Sequence, residues 1–291
     1  MPVPIRPEPT PFPAVNAALR DLLSRILSIL GDHCQGMYLD GSLALGDFSP
    51  RSSDIDYVVV TESALSDALL AALRDMHAHF NAGSSPWATE VEALYVPRAH
   101  LRHCDAAGTL FPRLERGANE RLRLDDLGRS WAIHLYVLRE HGIALAGPAI
   151  HDLIDPVDPD EIRGAMIEMM ETWWGPMADD SQPLLRQHIG YQTYAVLTMC
   201  RVLYSLTTGA VASKPVAARW AQRELGGRWS ACIDHALAWR KDHTAPASAG
   251  DIAATVALIR FTLARCRDVA AGPAPARNQA CWLPLADLGA C

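Results

Sequence analysis

Asp54 and Asp56 carry the most legible chemistry in this chain. They stand between a Gly41-Ser42 turn and the apolar, β-branched run Ile55 to Val60. That run reads as a strand, and the shorter run Met37 to Leu39 reads as its neighbour, broken at Gly41-Ser42. Alternation along a strand puts residues two apart on one face, so both carboxylates aim at one place. The missing Cβ of Gly41 lets backbone N–H groups approach an anion there, and the Ser42 hydroxyl lies beside it. Hard oxygen ligands hold Mg²⁺, which bridges phosphate oxygens, and two such ions can clamp the attacking and leaving oxygens. Asp-x-Asp alone is common at solvated strand ends. Gly-Ser, residues 43 to 53, then Asp-x-Asp leading into an apolar strand is a much rarer pattern.

A second acidic pair follows in the run Thr89 to Val96, which reads as a third strand stopped by Pro97. Glu90 and Glu92 share a face, and a sheet adjacent to Asp54 and Asp56 aims one of them at the metals. A carboxylate there can ligate metal or take a proton from an attacking hydroxyl. Glu92, heading the run Glu-Ala-Leu-Tyr-Val, is the expected one, and Glu90 is expected on a wet edge. Two cations stand out later. Arg201 lies inside an otherwise apolar helical run and Lys214 at a helix start, where buried or dipole-adjacent cations need an anionic partner. A triphosphate held across a cleft supplies one; ordinary surface ion pairs are the alternative.

The elements that position these groups are helical before and after the strands. Val15, Leu19, Leu22, Leu23, Ile26, Leu27 and Leu30 form one face closed by Gly31, and Ser63 to Phe80 shows a similar face. Residues 97 to 128 are rich in Arg, Asp and Gly with little periodicity, and read as a long connection lining a cleft. A helix over Ser130 to Glu140 and a short strand over Ile143 to Ala146 follow. Turn-rich residues 155–160 read as a junction between domains 1–150 and 151–291. Beyond it the patterns are helical: Glu161 to Trp174, Leu184 to Thr208, Ser213 to Leu225, Trp229 to Lys241 and Asp251 to Val269, with Ser213 as a cap. The Met and Trp residues of this half read as core, and the tail from Ala271 as loose. The fold class is therefore α+β, a small mixed sheet followed by an all-α bundle.

Composition agrees with a globular chain of 291 residues, 49% hydrophobic and 20% charged, with no apolar leader and no membrane-length run. Seven scattered cysteines, never in Cys-x-x-Cys spacing, point to free thiols in a reducing cytoplasm and away from a zinc site. The net charge of −7 disfavours nucleic acid as a substrate and suits a small cationic one. Asp125, Asp126, Asp155, Asp158, Asp160, Glu161, Asp179 and Asp180 are expected to draw such a cation, unless they lie on separate solvated loops. Tyr191, Tyr194 and Trp131 are expected as its stacking or cation–π walls.

The Gly41-to-Asp56 pattern resembles the signature of the nucleotidyltransferase superfamily, whose members include DNA polymerase beta and the antibiotic nucleotidyltransferases. Glu92 to Val96 resembles the catalytic strand of aminoglycoside adenylyltransferases. Tyr191 to Gly209, continued by Ser213 to Ala221, resembles the helical C-terminal domain of the streptomycin/spectinomycin enzymes, and Arg139 to Pro148 matches them too. The resemblance runs from about Pro13 to Trp239. It implies adenylyl transfer from ATP, with Mg²⁺, to a hydroxyl of the drug. Asp54, Asp56 and Glu92 would be metal ligands, with Glu92 also the base; Ser42, Ser53, Arg201 and Lys214 would contact the triphosphate beside Gly41. Tyr191 stands where family members hold streptomycin with an acid, the segment Gly175 to His188 is longer, and Arg240 replaces a tyrosine near the nucleotide. The expected partners are ATP and a small cationic aminoglycoside, with no nucleic acid and no membrane, for a cytoplasmic monomer. The alternatives are a metabolite or protein hydroxyl as acceptor, and a non-catalytic nucleotide-binding module, which the intact acidic trio disfavours.

Overall fold

The computed structural model describes residues 8–102, 108–180, 189–240 and 248–272. The tail beyond 272, Cys104, Cys281, Cys291 and residues 181–188 of the extended segment lie outside the described residues. Helix α1 (Pro13–Leu30) opens on a proline, whose missing N–H costs nothing in a first turn, and closes on Gly31 at φ +51°. Strand β1 (Cys34–Leu39), a short helix α2 (Gly41–Ala44) and strand β2 (Ile55–Thr61) form the unit around the aspartates. Helix α3 (Asp67–Asn81) starts where the Ser66 hydroxyl accepts the Leu69 N–H, four residues after the sequence-read start. It crosses over to strand β3 (Val91–Pro97), the kind of connection a parallel pair requires.

Among the described residues six strands run in the order β5-β4-β3-β2-β1-β6, with only β2 and β3 parallel. Two of them, β4 (Leu110–Leu114) and β5 (Arg123–Asp126), lie in the stretch read from sequence as a connection. They are short, β4 contains Pro112, and β5 pairs with β4 alone. Exposed Leu110 and Leu124 therefore give no alternating apolar signal. The last strand, β6 (Ile143–Ala146), and helix α4 (Trp131–His141) match the sequence reading closely.

Period-two alternation divides the sheet between two cores. Met37, Leu39, Tyr57, Val59 and Tyr95 join α1 and α3 on one face. Tyr38, Val58, Val60 and Val96 meet Trp131, Leu135 and Leu138 of α4 on the other. The opposite side of α4, Ala132 and Val137, belongs to a third core built by the helical half, so this helix is shared between the two halves.

That half comprises α5 (Pro159–Met169), a π-turn (Met170–Trp174), α6 (Gly175–Asp179), α7 (Ile189–Thr208), α8 (Lys214–Glu224), α9 (Ser230–Trp239) and α10 (Ala249–Ala270). The Met stripe is core, as Met166 and Met170 are buried. Helix continues past Trp174 despite Pro176, which sits in the first turn of α6, where no N–H is needed. Ser213 occupies the cap position of α8 without a side-chain capping bond. Cys34, Cys200, Cys232 and Cys266 are free thiols. Among the described residues no helix is long and apolar enough to cross a membrane.

Candidate active site

The parallel register sets Asp56 directly opposite Glu92, and the Ile55 N–H donates to the Glu90 carbonyl at 2.8 Å. Carboxylate oxygens of Asp54, Asp56 and Glu92 come within 4.8 Å of one another. Glu90 falls one residue before β3 and is not in this group; its carboxylate accepts the Thr89 hydroxyl at 3.3 Å. Burial pushes the Asp56 carboxyl well above the usual range, and Asp54, Glu92 and Asp40 add to it. Glu92 is raised by burial and then by Asp54, against the opposing pull of Arg113 and Arg116. Three hard oxygen donors crowded this way fit a divalent cation such as Mg²⁺, which would favour their charged forms.

Gly41 has a task beside the one its sequence position suggested. At φ +56°, a Cβ on it would lie 2.0 Å from Asp56 Oδ2, so the glycine makes room for the carboxylate itself. The Asp40 N–H holds the Asp56 carbonyl at 3.0 Å, and the buried Asp40 side chain meets His134 Nδ1 at 2.5 Å. Asp54 pairs with Arg116 at 3.4 Å. Asp40, His134, Arg113 and Arg116 were not singled out in the sequence. The only hint for the two arginines was the Arg-rich character of residues 97–128.

The helical half brings cations to the same place. Lys214, at the start of α8, has its ammonium 4.4 Å from the centre of the Tyr194 ring. Burial and then Arg201 lower its pKa to about 8, although Asp54 and Asp56 draw the other way. Arg201 lies on α7 in the field of Tyr194, Asp47, Asp56 and Asp40, and its buried Nε has no hydrogen-bond partner among the described residues. The Ser42 hydroxyl is also buried without a partner among the described residues, whereas Ser53 Oγ accepts the Ser49 N–H at 3.0 Å. Ser42, Arg201 and Lys214 thus retain binding capacity beside the acidic trio, while Ser53 helps shape the turn.

The expected acceptor walls divide. Tyr191, Tyr194 and Trp174 cluster with ring centroids 5.8–6.2 Å apart, next to Lys214. Trp131 is fully buried against the sheet and faces no cleft, because its aromatic spacing served the core. Several of the acidic residues are engaged locally. Asp125 pairs with Arg113 and Arg123, Asp155 with Arg102 and Asp160 with Arg163, while Asp158 caps α5.

Against known proteins, the family described as "Aminoglycoside adenylyltransferase, C-terminal domain" matches residues 152–265. An aminoglycoside (3'') (9) adenylyltransferase of Rhizobium radiobacter is 30% identical over 253 residues, covering 80% of this chain and 88% of that protein. The chain belongs to the aminoglycoside adenylyltransferase family. Another relative of the same description, from Klebsiella pneumoniae, is 29% identical over 234 residues, covering 76% of this chain and 84% of the relative. The crystal structure of spectinomycin adenyltransferase AAD(9) from Enterococcus faecialis, with ATP and spectinomycin, superposes with a TM-score of 0.62. At 15% identity, over 86% of this chain and 98% of that one, it shows that the fold is shared.

Within this member of the family, Gly41→Ala tests the fit between turn and carboxylate. The added methyl has to displace Asp56, so Mg²⁺-dependent nucleotide binding, measured by calorimetry, is expected to weaken about tenfold or more while the helical core stays folded. Unchanged binding would show that Asp56 has no part in the site.

Proposed function

We propose that this chain transfers the AMP of ATP to a hydroxyl of an aminoglycoside-type antibiotic, of the streptomycin or spectinomycin kind, releasing pyrophosphate. The observation that carries this reading is that Asp54, Asp56 and Glu92 on the sheet side share one electrostatic site with Lys214 and Arg201 on the helical side. The names of the relatives support the reaction and supply the acceptor class.

In the proposed step the acceptor oxygen bonds to the α-phosphorus as the bond to the bridging oxygen of pyrophosphate breaks. The hydroxyl proton passes to the Glu92 carboxylate. Burial and Asp54 raise the proton affinity of Glu92, which suits a base working nearer neutrality than a free carboxylate. Asp54, Asp56 and Glu92 would hold Mg²⁺, which when bound supplies positive charge to phosphate oxygens. Lys214 and Arg201 bind the triphosphate through charge-assisted hydrogen bonds, and the free Ser42 hydroxyl adds a neutral one. Residues 1–150 act as the nucleotidyltransferase domain, and residues 151–291 close over it. Tyr191 and Tyr194 offer aromatic faces for a cationic acceptor, with the buried Trp174 ring packed behind them.

A second reading keeps the chemistry and changes the acceptor to a metabolite or protein hydroxyl. It is favoured by Tyr191, which stands where the resemblance implies an acid and whose hydroxyl meets the Trp173 side chain and Met177 Sδ, the latter at 3.5 Å. Mass spectrometry of streptomycin and spectinomycin after incubation with Mg-ATP separates the two readings. Wild type and Glu90→Gln are expected to add one AMP to one of the drugs, and Glu92→Gln to be slower by about 10²–10⁴-fold. Pyrophosphate release with another acceptor, and none with either drug, would move the proposal to the second reading. Loss of activity in Glu90→Gln alone would reverse the roles of the two glutamates.

Lys214 also sets a pH limit. It must carry its proton to meet the triphosphate, so kcat/KM for ATP is expected to fall as pH rises through about 8. Lys214→Arg, which keeps its charge, removes that fall. A wild-type profile flat from about pH 7 to 9.5 would count against Lys214 as a phosphate ligand.

A further inference from the structure

We propose that Arg240 is a positioning residue for the nucleotide site, holding the Ser42 turn against the helical half before any nucleotide arrives. The inference rests on the nucleotide-binding reading above. Arg240 lies at the C-terminal end of α9 and reaches across 193 positions of sequence to a single residue. Its Nη1 donates to Asp47 Oδ1 at 2.7 Å and its Nη2 to the Asp47 carbonyl at 2.8 Å. The Asp47 N–H in turn donates to the Ser42 carbonyl at 2.9 Å, and the Leu45 N–H to Gly41 at 3.0 Å. One planar fork therefore grips both the side chain and the main chain of the residue that closes the Gly41-Ser42 turn.

Both side chains of this pair are 18% exposed, so water screens it less than an ordinary surface bridge. The electrostatics point the same way. Arg240 depresses the protonation of Lys214, so the two cations repel, and Asp47 is the carboxylate that anchors Arg240 beside them. Asp47 also lies in the field of Arg201. The strap thus fixes Ser42, whose hydroxyl has no partner among the described residues, relative to the cations that would share the triphosphate with it. Ordering this turn in advance removes a cost otherwise met on binding. A lysine cannot replace the two-point grip, since it is a point charge without the guanidinium geometry.

Steady-state kinetics, with the best acceptor and varied Mg-ATP, test the strap in Arg240→Ala, Arg240→Lys, Asp47→Ala and the double alanine variant. Arg240→Ala is expected to raise KM for ATP about tenfold, with kcat within about twofold of wild type. Arg240→Lys is expected to recover less than half of the loss, and the double variant to be no worse than Arg240→Ala. Amide hydrogen exchange in the nucleotide-free protein is expected to quicken at residues 42–48 and to stay unchanged in α7. Arg240→Gln carries the same test should the alanine variant not fold. A KM unchanged in a folded variant, or a loss confined to thermal stability, would overturn the inference alone. Failure of the wild type to bind or turn over ATP would overturn the functional reading and the inference with it.

Discussion

Oxygens of Asp54, Asp56 and Glu92 lie within 4.8 Å of one another in a part-buried site, where like charges repel through little intervening water. Three elements enforce that proximity. The parallel pairing of β2 and β3 fixes Asp56 opposite Glu92, and α3 supplies the crossover that makes the pairing possible. Gly41 lets the turn after β1 press against Asp56, where any side chain would collide with its carboxylate. The repulsion is tolerated because cations surround it: Arg116 on Asp54, Arg113 and Arg116 near Glu92, and Lys214 and Arg201 from the helical half.

The two halves are tied together by the same electrostatics and by α4. That helix packs one side on the sheet and the other in the helical core, and it carries His134 to the buried Asp40. Arg240 adds a polar tie from the end of α9 to Asp47 of the Gly41-Ser42 turn. Cations of one half therefore stand in the field of carboxylates of the other. Among the described residues the Ser42 hydroxyl and Arg201 Nε have no hydrogen-bond partner, so this region holds spare donors.

Much of this was legible in the sequence because it rests on short-range periodicity. The Asp54–Asp56 alternation, the Glu92 register and the helical faces follow from spacings of two and about 3.6 residues. What was not legible depends on tertiary neighbours. The role of Gly41 is set by the approach of a side chain fifteen positions away in the sequence, and the Arg240–Asp47 strap joins residues 193 apart. Strands β4 and β5 escaped because both are short, β4 is interrupted by Pro112 and β5 is a charged edge strand, so neither shows a clear alternating apolar face. Trp131 was misplaced for a related reason. Spacing tells that an aromatic lies on a helical face, and only packing tells whether that face meets the core or the cleft.

Thermal unfolding of wild type and Asp56→Asn, each with Mg²⁺ and with a chelator, tests the central claim most directly. The raised proton affinity of Asp56 means that its charged form costs stability at neutral pH when no cation is present. Without metal, Asp56→Asn is therefore expected to melt at a higher temperature than wild type. Added Mg²⁺ is expected to raise the wild-type midpoint and to leave the variant nearly unchanged. A variant less stable than wild type in chelator, with the same response to Mg²⁺ in both proteins, would contradict the view that these carboxylates form a strained site completed by a divalent cation.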